Sequence, residues 1–271
     1  MNKFKHKIKQ VLKFEERIAQ QTENMMRQNN FLPISETKPQ DIFIAGFPKS
    51  GNTWMQNLIA GLQFNIETAN LPDTLTQELV PDVHSKEFYK RFYDVVFFKT
   101  HGLPRREMKR VIHLVRDGRD AMASYFAMNQ AMKKQVTLEE MIIDGKAIYP
   151  CRWHEHTQKW LDNPYDAEII TIKYEDLIND TLTELKKIIA FAKLNCSDYL
   201  INKVIEGNSF AQMKNKEKLF GWNNKNWDSS KDFIRKGQIE SYKEEIPNEL
   251  ILAFENYSKN QLQHFNYQCH G

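Results

Sequence analysis

The sequence predicts an α/β protein with a parallel sheet flanked by helices. Four short apolar runs, at 42–45, 95–98, 111–115 and 168–173, have the length and composition of buried strands. Segments with apolar residues at helical spacing lie between these runs, an alternation typical of a parallel sheet covered by helices. Each run ends in a polar cluster. Because the carboxyl ends of parallel strands meet at one edge of an open sheet, we expect one ligand site there.

Composition and charge are those of an ordinary folded protein. The 271 residues are 41% hydrophobic and 27% charged, with a formal net charge of +3. This charge is too small to argue for nucleic acid, so no nucleic-acid partner is expected. The three cysteines form no C-x-x-C pair, which suits a reducing compartment and a cytoplasmic location. No apolar stretch approaches the ~20 residues that cross a bilayer, so no stable membrane insertion is expected.

The N-terminus predicts a basic amphipathic helix. Residues 1–30 carry apolar side chains at roughly helical spacing with lysines between them. Such a helix can lie on an anionic membrane, or it can pack on the domain as a surface helix, which we favour because aromatic anchors are few. We place a helical extension at 1–40 and a single domain at 41–271.

The first strand leads into a loop that suits a phosphate group. Gly46 and Pro48 end the strand, and apolar residues at helical spacing follow over 54–62. In such a strand, loop and helix, the backbone N–H groups and the helix dipole both favour a bound anion.

The loop differs from the P-loop of nucleoside triphosphatases in one respect. Gly46, Gly51 and Thr53 match the pattern G-x-x-x-x-G-K-[ST], but Asn52 occupies the lysine position. The only lysine of the loop is Lys49. Its displacement implies another phosphate arrangement, or a ligand without a γ-phosphate.

The octapeptide FPKSGNTW at 47–54 resembles the 5′-phosphosulfate loop, YPKSGTTW, of the cytosolic-type sulfotransferases. These enzymes take a sulfuryl group from 3′-phosphoadenylyl sulfate (PAPS) and leave adenosine 3′,5′-bisphosphate. The resemblance implies the P-loop-like sulfotransferase fold and a loop that binds the 5′-phosphate. The cofactor-binding residues that it implies here are Lys49, Ser50, Gly51, Asn52, Thr53 and Trp54.

Lys99 and His101 follow the second strand, before Gly102 and Pro104. A histidine at a strand end can act as a general base, because its unperturbed pKa is ~6.5; a capping or solvated histidine is the alternative. The segment resembles the family's KTHLP stretch, with Gly102 as an insertion. The resemblance implies His101 as the catalytic base, with Lys49 and Lys99 stabilising charge on the leaving and transferring groups.

Arg116 ends the third strand, and Ser124 lies in the helix predicted at 121–128. A guanidinium group and a hydroxyl together suit one phosphate; a surface Arg–Asp network within RDGRD is the alternative. The stretch resembles the family's 3′-phosphate motif, R-x-P-x-D-x-x-x-S, through Asp120 and Ser124. Gly118 replaces its frequent proline.

Three later segments resemble further family elements. Tyr174 lies in YEDL, where the family's tyrosine contacts the adenine; a half-buried aromatic is the alternative. The segment NSFAQMK resembles TSFxxMK, so Phe210 would face Trp54 across the adenine, with Asn208 in place of threonine. FIRKG resembles FxRKG, which also binds the 3′-phosphate. The cofactor-binding residues implied are Arg116, Ser124, Tyr174, Asn208, Ser209, Phe210, Met213, Phe233, Ile234, Arg235, Lys236 and Gly237.

The remaining segments carry weaker patterns. Residues 215–232 lack a period and predict a mobile lid. Cys151 and its neighbouring histidines match no zinc spacing, so no metal site is expected. The pattern over 65–93 is irregular, and helices are predicted within 138–163 (broken at Pro150) and at 181–194, 199–206 and 247–259.

The resemblance spans 42–243 in the family's order. It implies sulfuryl transfer from PAPS to a hydroxyl or amine of a small-molecule acceptor such as an alcohol, a phenol or an amine. A P-loop small-molecule kinase and a non-catalytic nucleotide-binding module stay open; Asn52 and the lack of a strand-end carboxylate for Mg²⁺ argue against the kinase. The acceptor and the oligomeric state are also open. Residues that could line an apolar acceptor pocket, or belong to the core, are Phe47, Phe88, Tyr89, Tyr125 and Phe126.

Overall fold

The structure is a computed structural model that describes residues 2–222 and 224–270, with side chains of the first helix described from residue 13 onward. The strands are β1 (Phe31–Pro33), β2 (Ile42–Gly46), β3 (Phe88–Lys90), β4 (Phe97–Thr100), β5 (Arg110–Val115) and β6 (Glu168–Lys173). The helices are α1 (Asn2–Gln28), α2 (Asn52–Phe64), α3 (Asp73–Leu79), α4 (Gly118–Ala131), α5 (Trp153–Asp162), α6 (Tyr174–Asn179), α7 (Thr181–Ala192), α8 (Asp198–Gly207), α9 (Phe210–Phe220), α10 (Tyr242–Glu245) and α11 (Asn248–His264). A 3₁₀ turn at Thr68–Asn70 and a π turn at Glu140–Asp144 complete the regular elements.

The central sheet confirms the predicted fold class. Its strands run parallel in the order β4, β2, β5, β6. Strand β2 is buried at every position, as expected for a strand covered on both faces. All four carboxyl ends therefore lie at one edge of the sheet, where β2 passes into the phosphate loop.

Helices cover both faces of the sheet. Ile42 and Ile44 of β2 pack against Leu58 of α2 in one core cluster. Phe43 and Ala45 point to the opposite face, since side chains alternate along a strand. Each fully buried Ile or Phe contributes about 1.5–3 kcal/mol relative to exposure, so this one strand anchors both layers.

The second strand begins and ends two residues later than predicted. It covers Phe97–Thr100 rather than 95–98, because Lys99 pairs with Ile44 and Thr100 pairs with Ala45 in the ladder. Polar residues thus lie inside a buried strand, which an apolar run cannot reveal.

Several helices are longer than their patterns predicted. α4 begins at Gly118 rather than 121, because the Asp117 side chain accepts the N–H of Arg119 as an N-cap. α9 extends to Phe220 and so takes up the first part of the predicted lid at 215–232. Its period is hidden by Lys216, which is buried although charged.

The helical extension is only partly as expected. α1 is one helix, but its described side chains from 13 to 22 are exposed, so this part does not pack on the domain as we favoured. Near its end, Arg27 pairs with Glu36. The apolar residues before 13 lie outside the described side chains, and contact with a membrane stays a prediction. Among the described residues, no helix is both long and apolar enough to span a bilayer.

Candidate active site

A cavity of about 620 Å³ opens at the carboxyl edge of the sheet. Its size falls within the roughly 300–1,000 Å³ of small-molecule sites. Every predicted site residue except Ser50 lines it. They are Lys49, Gly51, Asn52, Thr53, Trp54, Lys99, His101, Arg116, Ser124, Tyr174, Asn208, Ser209, Phe210, Met213, Phe233, Ile234, Arg235, Lys236 and Gly237.

The phosphate loop is a tight turn held in a strained conformation. The N–H of Ser50 donates to the carbonyl of Phe47 at 3.1 Å, and Lys49 has φ 71°. Pro48 followed by a positive φ is the pattern of a type II turn, where glycine normally stands in the position of Lys49. A non-glycine residue in this conformation costs about 1–3 kcal/mol, and such strain is found at ligand sites.

Asn52 occupies the lysine position of the P-loop pattern but makes a contact within the loop. Its Nδ2 donates to the carbonyl of Phe47 at 3.1 Å, so the carboxamide closes the loop instead of reaching a phosphate. Gly51, with φ 95°, precedes it; an added Cβ there would lie 2.8 Å from the ring of Tyr174. The buried Ser50 hydroxyl has no partner among the described residues.

Five lysine and arginine side chains among the described residues line the cavity: Lys49, Lys99, Arg116, Arg235 and Lys236. Burial, together with the charges of the two arginines and Lys99, lowers the pKa of Lys49 to about 7. Charge of one sign gathered in a buried cleft is unfavourable unless an opposite charge joins it. Asp82, Asp120 and Glu245 pair with Lys99, Arg116 and Arg235, but the described residues that line the cavity include no aspartate or glutamate. The lining itself therefore presents positive charge, which favours an anionic ligand.

Arg116 is held by main-chain groups. It donates to the carbonyls of Lys49 at 3.1 Å and Gln238 at 3.2 Å, and its guanidinium lies 4.4 Å from the centroid of the Tyr174 ring. Its buried Nε has no partner among the described residues. One donor of Arg116 is thus left unpaired at the cavity where the sequence predicts a 3′-phosphate.

The two arginines of the RDGRD stretch have different surroundings. Arg119 forms an Arg–Asp network, pairing with Asp117 at 2.6 Å and with Glu255. Arg116 instead faces the cavity and lies 3.8 Å from Asp120. The network predicted as the alternative is thus formed by Arg119, and binding of a 3′-phosphate by Arg116 stays a prediction.

Two other residues of this motif, Asp120 and Gly118, have structural roles. Asp120 is buried and accepts the N–H groups of Glu240 at 2.8 Å and Tyr242 at 2.9 Å. A Cβ on Gly118 would lie 2.4 Å from Trp153. The departure from the family's proline therefore makes room for a core indole.

Arg235 is paired with an acidic residue. Its guanidinium makes a bidentate ion pair with Glu245 at 2.6 and 2.9 Å, and Lys236 lies 3.1 Å from the same carboxylate. Burial alone would raise the pKa of Glu245, but Arg235 and Lys236 hold it below its usual range.

Aromatic rings form one wall. The indole Nε1 of Trp54 donates to the carbonyl of Asn208 at 2.9 Å, and its ring meets Tyr174 edge-on at 6.1 Å and 79°. Phe210 lies against Gly237, whose φ is 60° and whose added Cβ would lie 2.5 Å from that ring. Rings fixed in this way offer π-faces to a base.

The side chain of Asn208 is occupied within the protein. Its Nδ2 donates to the carbonyl of Val204 at 2.9 Å, and its Oδ1 accepts from the hydroxyl of Thr68 at 3.0 Å. The replacement of threonine thus leaves a buried, satisfied residue that fixes Trp54 through its main chain.

The segment after α9 is anchored by aromatic stacking. Trp222 stacks on Phe233 with ring centroids 3.4 Å apart and planes 7° from parallel. The carboxylate of Glu217 accepts the N–H groups of Phe233 and Ile234. Neither Trp222 nor Glu217 was assigned from sequence. The mobility of residues 221–232 stays a prediction.

His101 lies at the cavity in a defined tautomer. Its Nδ1 is 2.8 Å from the carbonyl of Gly46; a carbonyl only accepts, so Nδ1 carries the proton and Nε2 keeps its lone pair. Burial, and then the charge of Lys99, lower the pKa of His101 to about 3. The imidazole is therefore neutral near pH 7, as a general base must be.

Lys99 has a partner that the sequence did not reveal. Its ammonium lies 2.8 Å from Asp82, and both side chains are largely buried. Although burial alone would raise the pKa of Asp82, Lys99 holds it below its usual range.

The acceptor side of the cavity is only partly as expected. Of the aromatic residues offered for an acceptor pocket, Tyr125 lines the cavity, whereas Phe47 and Tyr89 are buried in the core. The structure adds lining residues that the sequence analysis did not assign, among them Met128 and Tyr149.

The fold and site define a class. A parallel sheet, a strand–loop–helix anion cradle, buried arginines and stacking aromatics form the site of a nucleotide-binding α/β protein. The sequence model of the sulfotransferase domain family matches residues 39–266. The chain belongs to the sulfotransferase family, and the resemblance found in its motifs is confirmed.

Similar sequences support this family assignment. The chain is 24% identical over 259 residues to bovine (Bos taurus) sulfotransferase 1E1, covering 84% of this chain and 85% of that protein. It is 26% identical over 201 residues to rabbit (Oryctolagus cuniculus) sulfotransferase 1C2, covering 66% and 67%.

Two solved structures share the fold. Retinol dehydratase in complex with androsterone and the inactive cofactor PAP has a TM-score of 0.66 at 20% identity, over 84% of this chain and 82% of that one. Mouse sulfotransferase SULT7A1 complexed with PAP has a TM-score of 0.62 at 20% identity, over 85% and 86%.

Proposed function

We propose that this sulfotransferase carries a sulfuryl group from PAPS to a hydroxyl or amine of a small-molecule acceptor. The observation that supports it best is one cavity shared by Lys49, Arg116, Arg235 and the strand-end His101. Two arginines beyond the 5′-phosphate loop suit a nucleotide with a second phosphate on its 3′ oxygen. The PAP complexes of the structural neighbours support the same cofactor.

In the proposed reaction the acceptor oxygen or nitrogen attacks sulfur. The new bond to sulfur forms as the bond to the 5′-phosphate oxygen breaks, and adenosine 3′,5′-bisphosphate leaves. Nε2 of His101 takes the acceptor's proton. Lys49 stabilises charge on the leaving phosphate oxygen, and Lys99 stabilises the oxygens of the transferring group.

The low pKa of His101 fits this role once a cofactor is bound. Lys99 is the charge that lowers the pKa most after burial. A phosphosulfate beside Lys99 would offset that charge, because an anion favours the protonated imidazole. The base would thus gain proton affinity in the complex in which it acts.

The acceptor is proposed to be an apolar alcohol or a phenol before an amine. The wall beyond His101 is formed by Tyr125, Met128 and Tyr149, which offer apolar surface with few charges. Androsterone in the retinol dehydratase structure is an apolar alcohol of this kind. An amine acceptor would enter a cavity that already gathers cations.

A ligand and transfer experiment tests the function. The full chain is heated with adenosine 3′,5′-bisphosphate or with Mg-ATP; a ligand at 100 times its Kd stabilises by about 2.7 kcal/mol. ³⁵S-labelled PAPS is then offered with phenols, steroids, fatty alcohols, amines and sugars. We expect bisphosphate protection and labelled product.

The other outcomes decide between the alternatives. Protection by Mg-ATP alone would favour a P-loop kinase and overturn the proposal. Bisphosphate protection without transfer to any acceptor would favour a non-catalytic nucleotide-binding module.

We also propose that the protein works in the cytoplasm, with 1–40 as a helical extension of a single domain. Cys151, Cys196 and Cys269 are free thiols, as suits a reducing compartment. Subcellular fractionation of the tagged chain tests this, and recovery from an oxidising compartment would contradict it.

A further inference from the structure

A second histidine holds the loop that carries His101. The main-chain N–H of His101 donates to Nε2 of His84 at 3.0 Å. The two rings lie nearly parallel, with centroids 6.3 Å apart and planes 12° from each other. His84 comes from the segment before β3, far from His101 in sequence.

The neighbours of His84 fix its tautomer. A main-chain N–H can only donate, so Nε2 of His84 must accept. The hydroxyl of Thr100 lies 3.1 Å from the same Nε2; because this nitrogen accepts from His101 and carries no proton, the hydroxyl is the donor in that contact. The imidazole proton is therefore on Nδ1, which faces the hydroxyl of Tyr149 at 3.3 Å.

His101 is thus held from two sides. Gly46 accepts from its ring Nδ1, and His84 accepts from its main chain. Both contacts orient the free Nε2 of His101 in the cavity. Displacing a catalytic group by about 1 Å can lower a rate about 10²-fold. The hydrogen bond from the main chain of His101 to His84 should therefore matter for the reaction rate.

We propose that neutral His84 is a positioning residue for sulfuryl transfer, and that its protonation releases the main chain of His101. Protonation would place a second N–H opposite the donating N–H of His101, and the hydrogen bond would be lost. The inference rests on the proposed function, because it assigns His84 to the same reaction.

The charges around His84 keep it neutral at pH 7. Burial lowers its pKa below 6.5; Asp82 opposes this, and Lys99 and Arg105 add to it. His101 and Tyr149 are its remaining titratable neighbours. His101 is present both in wild type and in a His84 variant, so a change in the acid dependence of kcat when His84 alone is replaced would come from His84.

Two variants separate this role from a structural one. In His84→Gln the amide oxygen can replace Nε2 as acceptor but cannot be protonated. We expect kcat within about threefold of wild type at pH 7.5. As the pH is lowered, kcat of wild type should fall more steeply than kcat of His84→Gln. His84→Leu should lower kcat about 10–100-fold with KM changed less than threefold.

His154 offers a matched control. It lies on α5, with its ring 4.8 Å from that of Tyr257, it does not line the cavity, and burial lowers its pKa too. His154→Gln should keep the wild-type dependence of kcat on acid pH. The inference would be overturned if kcat of His84→Gln fell with acid pH as it does in wild type, or if kcat of His84→Leu equalled that of wild type.

The tautomer gives a readout besides activity. In the ¹⁵N-histidine NMR spectrum of the full chain at pH 7.5, the His84 signals, assigned by their loss in His84→Gln, should show the proton on Nδ1. A proton on Nε2 would overturn this inference alone. If the Nδ1–H form is found but wild type transfers no sulfuryl group to any acceptor, the proposed function fails, and the role in the reaction fails with it.

Discussion

The ammonium of Lys49 lies 3.9 Å from the centroid of the Phe233 ring. No carboxylate of the described residues pairs with it within 4.0 Å, so an aromatic face is its nearest counterpart for charge. Its pKa of about 7 lies well below the usual range of lysine, so part of the population is neutral there near pH 7.

Binding of a phosphate at this loop should therefore take up a proton. An anion beside Lys49 raises its pKa back toward its usual range, so above pH 7 the complex binds one more proton than the free protein. Isothermal titration of adenosine 3′,5′-bisphosphate at pH 8, in buffers of different ionisation enthalpy, should show uptake approaching one proton. Lys49→Ala should abolish most of it; equal uptake by both proteins would assign the proton elsewhere.

The left-handed conformation of Lys49 should lower stability. Lys49→Gly and Lys49→Ala both remove the ammonium, but only glycine adopts φ 71° without strain. We expect the glycine variant to be more stable than the alanine variant by about 1 kcal/mol in urea unfolding. Both should lose most activity. Equal stability of the two would show that the turn is not strained.

Removal of the proposed base should separate catalysis from binding. His101→Ala should lower kcat about 10²–10⁴-fold, while stabilisation by adenosine 3′,5′-bisphosphate persists in thermal shift. Because the pKa of His101 is about 3 in the free protein and a bound phosphosulfate should raise it, protonation of His101 should lower kcat at a higher pH than it lowers kcat/KM. Near-normal turnover in this variant would remove His101 from the mechanism.

Arg235 should distinguish nucleotides by their 3′-phosphate. The loss of charge-assisted hydrogen bonds costs about 1.5–3 kcal/mol. Arg235→Ala should therefore raise the Kd for adenosine 3′,5′-bisphosphate roughly 10–150-fold. Binding of adenosine 5′-phosphate should change little. Lys203→Ala, which removes an exposed ion pair with Glu67, is the control. Equal loss for both nucleotides would place Arg235 away from the 3′-phosphate.

Gly118 should tolerate no side chain. A Cβ there would lie 2.4 Å from Trp153 and 2.5 Å from Phe254, so Gly118→Ala should destabilise by about 1–3 kcal/mol. At Gly207 a Cβ would meet nothing within 4 Å, and Gly207→Ala should stabilise by up to about 1 kcal/mol. Urea unfolding measures both; similar values would show that the contacts at Gly118 relax.

The sheet was predictable because β2 and β5 are buried at nearly every position and form apolar runs in the sequence, and the less buried β6 still carries three isoleucines. The error at β4 has a physical cause: Lys99 is buried inside the strand because Asp82 neutralises it. That pairing is a tertiary contact, and no local pattern of residue types announces it.

Most residues that line the cavity could also be predicted, because they lie in short motifs; their binding of the cofactor stays a prediction. The residues that hold His101 in place could not be predicted from the sequence. His84 comes from a segment without period, and its contact with Tyr149 joins residues 65 positions apart. Separations of this size leave no trace in the spacing of one sequence.

The carboxylate of Asp120 has a consequence for spacing within the cleft. It anchors the N–H of Tyr242, the first residue of α10, and Glu245 at the other end of α10 grips Arg235. Arg116 lies one turn before Asp120. Both guanidinium groups are thus positioned from one short helix, α10, so we expect the distance between them to be the same with and without a bound nucleotide.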